Sequence, residues 1–216
     1  GFSGATIISS TIRNNSTYGI YISNSNSTSQ ADVINSTISG NGSNAIRTVS
    51  NNSGTSRAFL NHTTVASNTG GLRTGSSGSS SYTIKNTILA NNGSDNCAGG
   101  TSPSHPITSL GHNISSDAGC PMFDEPGDLQ ETDPLLGPLQ DNGGPALTYG
   151  LVPGSPAIDA VPEAECTDTG DNPIATDQRG RVRPLSGPSA GAVPNCDVGA
   201  VEFDDPAIGL DPTAIY

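Results

Sequence analysis

The run Val33-Ile34-Asn35-Ser36-Thr37-Ile38-Ser39-Gly40-Asn41 decides the fold, because its pattern occurs four times without gaps. The other copies are Ile7-Ile8-Ser9-Ser10-Thr11-Ile12-Arg13-Asn14-Asn15, Leu60-Asn61-His62-Thr63-Thr64-Val65-Ala66-Ser67-Asn68 and Ile84-Lys85-Asn86-Thr87-Ile88-Leu89-Ala90-Asn91-Asn92. The closing asparagines, Asn15, Asn41, Asn68 and Asn92, are 26, 27 and 24 residues apart. A second apolar spot follows three of the copies, at Ile20, Ile46 and Leu72. Short β-rich runs at a period in the twenties, with polar punctuation, are the signature of a β-solenoid coil. Leucine-rich repeats share the period but need several Leu per turn, and that density is absent.

Alternation within each strand assigns the side chains. The columns Ile12, Ile38, Val65, Leu89 and Ile7, Val33, Leu60, Ile84 should stack inside as aliphatic ladders. The column Asn15, Asn41, Asn68, Asn92 should sit at a bend, bonding along the stack or capping local backbone. The Ser/Thr-rich stretches 23–30, 50–56 and 74–81 read as loops bulging from one side.

Composition agrees with a narrow solenoid interior. Hydrophobic residues are 32% and aromatics 4% of the 216 residues, too little bulk for a deep globular core. A solenoid needs only one or two small apolar side chains per strand. Charge divides the chain into two zones. Residues 1–96 hold five Lys and Arg against two acids, a balance of +3, and residues 97–216 hold three against eighteen, a balance of −15. This argues against nucleic acid, which requires a concentrated basic face. Cys97, Cys120, Cys166 and Cys196 all lie in the second zone, in no metal-binding spacing. They read as two disulfides formed in an oxidising compartment. Local pairing is the simplest of three connectivities.

From Cys97 the repeat breaks and proline becomes frequent. Here the chain resembles the bacterial surface β-helix proteins with a choice-of-anchor Q type C-terminal domain. The resemblance is carried by Ser109-Leu110-Gly111-His112-Asn113-Ile114, Thr132-Asp133-Pro134-Leu135-Leu136-Gly137-Pro138-Leu139 and Leu151-Val152-Pro153-Gly154-Ser155-Pro156-Ala157-Ile158-Asp159. Thr176-Asp177-Gln178-Arg179-Gly180 and Cys196-Asp197-Val198-Gly199-Ala200-Val201-Glu202 continue it, over about residues 84–203. It implies an exported, non-enzymatic surface protein. The expected fold is therefore an all-β, right-handed parallel β-helix with a disulfide-stapled C-terminal cap. Coils occupy 1–96, the last coils and Pro/Asp-rich cap 97–203, and an extended tail 204–216. Leu135-Leu136, Leu147, Leu151-Val152, Ala157-Ile158 and Val198-Gly199-Ala200-Val201 should form the final strands over the open end. Asp159, Asp177 and Arg179 should bond cap loops together.

An enzyme reading needs acids stacked on neighbouring coils, and the coils offer only Asp32 and Asp95, neither in a repeated strand. No catalytic residue, cofactor site or metal site follows. A structural Ca²⁺ is weighed at Asp124-Glu125-Pro126-Gly127-Asp128 and Asp168-Thr169-Gly170-Asp171-Asn172, oxygen-rich loops that match no calcium-binding frame. His62, His105 and His112 have no familiar partners. Arg47 and Arg73 fall in register and form a short basic stripe. Thr11, Thr37 and Thr63 line up, but three coils are too few for an ice-binding array.

The chain begins within a coil and carries no membrane span. Gly1 in place of a starting Met reads as a trimmed, exported product. Spaced apolar residues in the tail, Ile208, Leu210, Ile215 and Tyr216, could add a strand to the exposed first coil of another copy. Such a head-to-tail contact does not close and builds a homopolymer. The expected function is a secreted, cell-surface structural or adhesive protein that self-associates into an extracellular filament, with cell-surface or glycan contacts. The alternative is a pectate-lyase-like β-helix that binds or cleaves polysaccharide.

Overall fold

A computed structural model describes residues 1–75, 78–100, 102–185 and 194–204. The chain is a parallel β-solenoid of four three-stranded coils and a partial fifth. The first coil holds β1 (Phe2–Ile8), β2 (Thr11–Arg13) and β3 (Ile20–Asn24), and the second β4 (Thr28–Ile34), β5 (Thr37–Ser39) and β6 (Asn44–Ser50). The third holds β7 (Thr55–Asn61), β8 (Thr64–Ala66) and β9 (Gly70–Thr74), and the fourth β10 (Ser79–Lys85), β11 (Ile88–Ala90) and β12 (Cys97–Ala98). The partial fifth coil has β13 (Ile107–Ser109) and β14 (Ile114–Ser115). Equivalent strands pair in parallel, giving three sheets: a long-strand sheet β1-β4-β7-β10-β13, a short-strand sheet β2-β5-β8-β11-β14, and a third sheet β3-β6-β9-β12.

Both expected aliphatic ladders form: Ile7, Val33, Leu60 and Ile84 are successive register partners, as are Ile12, Ile38, Val65 and Leu89. Ile20, Ile46, Leu72 and Cys97 supply a third inward column. Where the alanine column Ala5, Ala31, Ala58 gives way to Tyr82, the buried ring spans the interior. Its hydroxyl reaches the carbonyls of Ile46 and Arg73 at 2.9 and 3.0 Å. Burial pushes the Tyr82 phenol well above its ordinary range, since no anion can be hydrated there.

Each coil turns through two left-handed corners. The first passes through Ser9, Asn35, His62, Asn86 and His112, at φ between 44° and 54°, and the second through Asn14, Gly40, Ser67 and Asn91. Asn, His and Gly, which fill most of these corners, are among the residues for which that conformation costs least. Beside the second corner the asparagine column forms a ladder. The backbone N–H and Nδ2 of Asn15 both donate to Asn41 Oδ1, those of Asn41 to Asn68 Oδ1, and those of Asn68 to Asn92 Oδ1, at 2.8–3.1 Å. Asn96, which the repeat pattern did not flag, ends it by accepting from Asn92 Nδ2 at 2.8 Å and donating to Leu89 O.

Three expectations are corrected. The Ser/Thr-rich stretches 23–30 and 50–56 do not bulge: strands run to Asn24 and Ser50 and restart at Thr28 and Thr55. In 74–81, of which residues 76 and 77 lie outside the described ones, strand β9 runs to Thr74 and β10 starts at Ser79. Ser50 and Ser56 are buried, because a hydroxyl that bonds nearby backbone can lie inside a corner, as Ser50 Oγ does on Ser79 O and Ser56 Oγ on Val49 O. The threonine column runs through Thr64 in place of Thr63, which instead bonds Asn61 O and Val33 O inside the wall. The third correction concerns the C-terminal region. Residues 126–129 add one rung, with His112 N–H donating to Pro126 O and Ser115 N–H to Leu129 O. Cys120, Met122 and Phe123 pack against the interior columns there, and the Cys97–Cys120 disulfide ties them to the last full coil.

The chain then folds back. The hairpin β15 (Leu136–Gln140) and β16 (Thr148–Leu151), and the segment stapled by Cys166–Cys196, lie against the outer face of the short-strand sheet. The reason is on that face: Ala66, Ile88, Ala90 and Ile114 point outward and are covered by Tyr149, Leu151, Ala157, Val161, Val198 and Ala200. Leaving such a stripe in water would forfeit its burial energy. The disulfide-stapled region is thus present, but it covers a flank and does not supply strands over the end.

Truncating Asn68 removes three ladder bonds inside the wall and the Nδ2 bond to Ile38 O, whereas Asn15 sits at the exposed end. Asn68→Ala should cost about 3 kcal/mol and Asn15→Ala about 1 kcal/mol or less. Urea unfolding of both variants checks this, and equal losses would contradict a stabilising ladder.

Candidate functional site

The densest chemistry lies in the seam between the first corners and the folded-back region. Gln178 is aimed at the threonine column. Its Oε1 accepts from Thr37 Oγ1 at 2.6 Å, and its Nε2 reaches Thr11 Oγ1 at 2.9 Å and Ser10 O at 3.2 Å. The column is therefore covered and offers no flat outward array. Gly199 N–H donates to Asn86 O and Ala200 N–H to Thr64 Oγ1. A Cβ at Gly199, whose φ is +95°, would lie 2.8 Å from Ile88 Cδ1, so only glycine permits this approach. Lys85, buried, pairs with Glu165 at 3.0 Å, and Asn86 Nδ2 donates to Glu165 O at 2.9 Å.

The acids and arginines here hold one another. Asp177 is buried and bonds Arg179 through Oδ2 at 2.6 and 2.9 Å, while its Oδ1 accepts the backbone N–H groups of Arg179 and Arg181. Arg179 also reaches Asp204 and Glu202 O. The expected link between Asp177 and Arg179 is thus formed. Asp159 takes part through its backbone N–H, which donates to Asp197 Oδ1 at 2.7 Å. Deeper in, Arg183 Nε lies 2.7 Å from Glu202 Oε1 with both side chains fully buried, an ionic contact without hydrogen-bond alignment.

Burial, and then the neighbouring Glu202 carboxylate, push the Asp197 carboxyl up to about 7. Glu202 is raised for the same first reason, against the pull of Arg183. His62, 0% exposed beside Asn86 Nδ2 at 3.0 Å, is held well below its ordinary range by burial and by the positive field of Arg183. The seam has the chemistry of a permanent internal joint. Its carboxylates accept protein donors on each side.

The remaining candidates separate. In each of the two proposed calcium loops one carboxylate is spent on the chain itself. Asp128 accepts from Ser109 Oγ and from the N–H groups of Asn113 and Glu125, and Asp168 from the N–H groups of Gly170 and Asn172. For Asp168, the bonds from Asn172 and Gly170 outweigh burial and lower the carboxyl. No trio of His, Cys, Asp or Glu able to hold a metal occurs among the described residues. Asp32 is bonded by Gln30 on the long-strand sheet, and Asp95 lies before β12 on the third sheet, so the two do not stack. His112 contacts Ala160 O at 2.9 Å. Arg47 and Arg73 are adjacent rungs of the third sheet, which the folded-back region does not cover. Ile208, Leu210, Ile215 and Tyr216 lie outside the described residues. The corner column and Gln178 were not flagged by the repeat, because their partners outside the coils, Thr176 O for Asn35, Ala160 O for His112 and Ser10 O for Gln178, lie 141, 48 and 168 residues away in no repeating pattern. No family model, curated protein or solved structure matches the chain.

The paired shifts have a measurable consequence. Between pH about 4 and 6.5 the folded seam holds its proton on Asp197 with His62 neutral, whereas the unfolded chain holds it on the histidine. Both states bind one proton, so this pair leaves stability level there. Glu202 is raised in the parent and in both variants, so each variant is read against the parent. In Asp197→Asn the depressed histidine loses its counterweight, and stability relative to the parent falls by about 1 kcal/mol per pH unit below pH about 6.5. In His62→Gln the raised Asp197 loses its counterweight, and stability relative to the parent increases as pH falls from about 7 toward 4. Urea melts of parent and variants at pH 5 and 7 should give opposite slopes relative to the parent. Two slopes of the same sign would refute the shared proton.

Proposed function

We propose that this chain is a non-enzymatic, exported structural or adhesive module, a rigid β-solenoid of a cell surface that associates end to end into an extracellular filament. The observation that carries the reading is how the ionisable groups are used. Asp177, Asp197, Glu202 and the side chains of Arg179 and Arg183 are buried and joined to one another or to backbone within the folded-back region, and Arg183, Gln178, Gly199 and Ala200 bond that region to the four coils. A hydrolytic or eliminating site requires carboxylates or a base open to substrate. Two disulfides support residence in an oxidising compartment. The resemblance of residues 84–203 to choice-of-anchor Q type surface proteins points to the same setting.

End-to-end association would use the edge strands of the first coil, where Phe2 and Ile8 are 66% and 55% exposed, as acceptors for the tail of another copy. Size-exclusion chromatography and negative-stain microscopy of the full chain should show particles growing with concentration. Deletion of residues 205–216 should leave a monomer. A truncated chain that still polymerises would remove the tail from the contact. Release of reducing ends or unsaturated uronates from plant or bacterial polysaccharides would defeat the non-enzymatic reading.

A further inference from the structure

The outer face of the third sheet carries a line of side chains that the scaffold does not use. Because Ile20, Ile46, Leu72 and Cys97 point inward, their neighbours Tyr21, Arg47, Arg73 and Ala98 point outward, in register on four successive rungs. Tyr21 is 53% exposed. The Tyr18 ring stacks on Tyr21 with centroids 5.2 Å apart and planes at 19°, and the Arg47 guanidinium sits 5.7 Å from the Tyr18 centroid. Beyond Arg73 the line ends in a recess of about 410 Å³ whose walls include Thr74, Gly99, Gly100 and His105.

Two facts single this face out. Among the described residues neither Arg47 nor Arg73 forms an ion pair, although like charges on adjacent rungs, about 4.8 Å apart, oppose each other. No acid occurs in β3, β6, β9 or β12, and the folded-back acidic region packs on a different sheet. In a chain of net charge −12 this is a segregated cationic strip.

We infer that the Tyr21–Arg47–Arg73 line docks a linear polysaccharide bearing carboxylates, laid along the solenoid axis and ending in the His105 recess. Guanidinium forks match carboxylates in geometry as well as charge. Stacking of Arg47 on Tyr18 leaves the N–H edges free and already oriented. An exposed tyrosine face suits the C–H side of a pyranose. The rung spacing is close to the advance of one sugar in an extended chain, so successive rungs meet successive sugars. A nucleic acid demands more cations than two on a protein of this charge. A peptide strand demands a free sheet edge, and β6 and β9 are paired on both sides.

The scaffold reading only sets where such a glycan would be met. Isothermal titration of the full chain at low salt, with short oligogalacturonates as the probe, tests the inference. Binding should be lost on methyl-esterification of the probe and weakened about tenfold by Arg47→Gln or by Arg73→Gln. Tyr21→Ala should weaken it several-fold without altering its salt dependence. These side chains face solvent, so unchanged melting temperatures would confirm intact folds. The inference is overturned if oligogalacturonate does not bind, if both arginine variants bind it unchanged, or if polyglutamate, heparin or single-stranded DNA binds as tightly. A failed titration would leave the scaffold reading standing. Catalytic turnover in the polysaccharide assay would remove that reading and leave the strip's binding to be judged separately.

Discussion

Every coil of this solenoid must turn inside its own wall, and a turn buries backbone N–H groups that no strand partner can reach. The asparagine column resolves this. The Oδ1 atoms of Asn41, Asn68 and Asn92 accept both N–H groups from the coil before, and the Nδ2 groups of Asn41, Asn68, Asn92 and Asn96 reach the backbone carbonyls of Ile12, Ile38, Val65 and Leu89. An unmet buried amide costs about 1–3 kcal/mol, so the corner forms only when the next coil supplies the same residue at the same place. The coils are coupled by this requirement as much as by their aliphatic ladders.

The same constraint explains where the C-terminal region goes. The first-corner column of Ser9, Asn35, His62, Asn86 and His112 also turns in the left-handed region, but its side chains face out of the wall. They need partners too, and the folded-back chain provides them through Thr176 O, Glu165 O, Ala160 O and Arg183. Apolar Ile88 and Ile114 between those corners make the contact favourable, and glycine at position 199 makes it close. The region therefore acts as a splint along the coils from the last to the first.

Segregation of charge follows from the splint. Glu165, Asp177, Glu202 and Asp204 are drawn onto the short-strand side, where they meet Arg179, Arg181, Arg183 and Lys85. The third sheet keeps its arginines unmatched. A module that is acidic overall thus presents a basic, aromatic face on one side, which makes it suited to a directional contact.

The sequence by itself determined the coils: period, inward columns and asparagine column were legible, because each repeats and its partner lies one coil away, while the structure selected the local disulfide pairing from three connectivities. Asn96 ends the ladder from outside the repeat, and Thr64 takes the place expected of Thr63 because the register that stacks Val65 on Ile38 puts Thr64 beside Thr37. The tertiary structure alone decided that Gln178 reads Thr11 and Thr37, that Asp197 and His62 share a seam, and that the prolines and acids lie along a flank. No periodicity encodes those contacts. They depend on which outward face of the finished solenoid is apolar enough to need covering, a property that exists only once the coils have stacked.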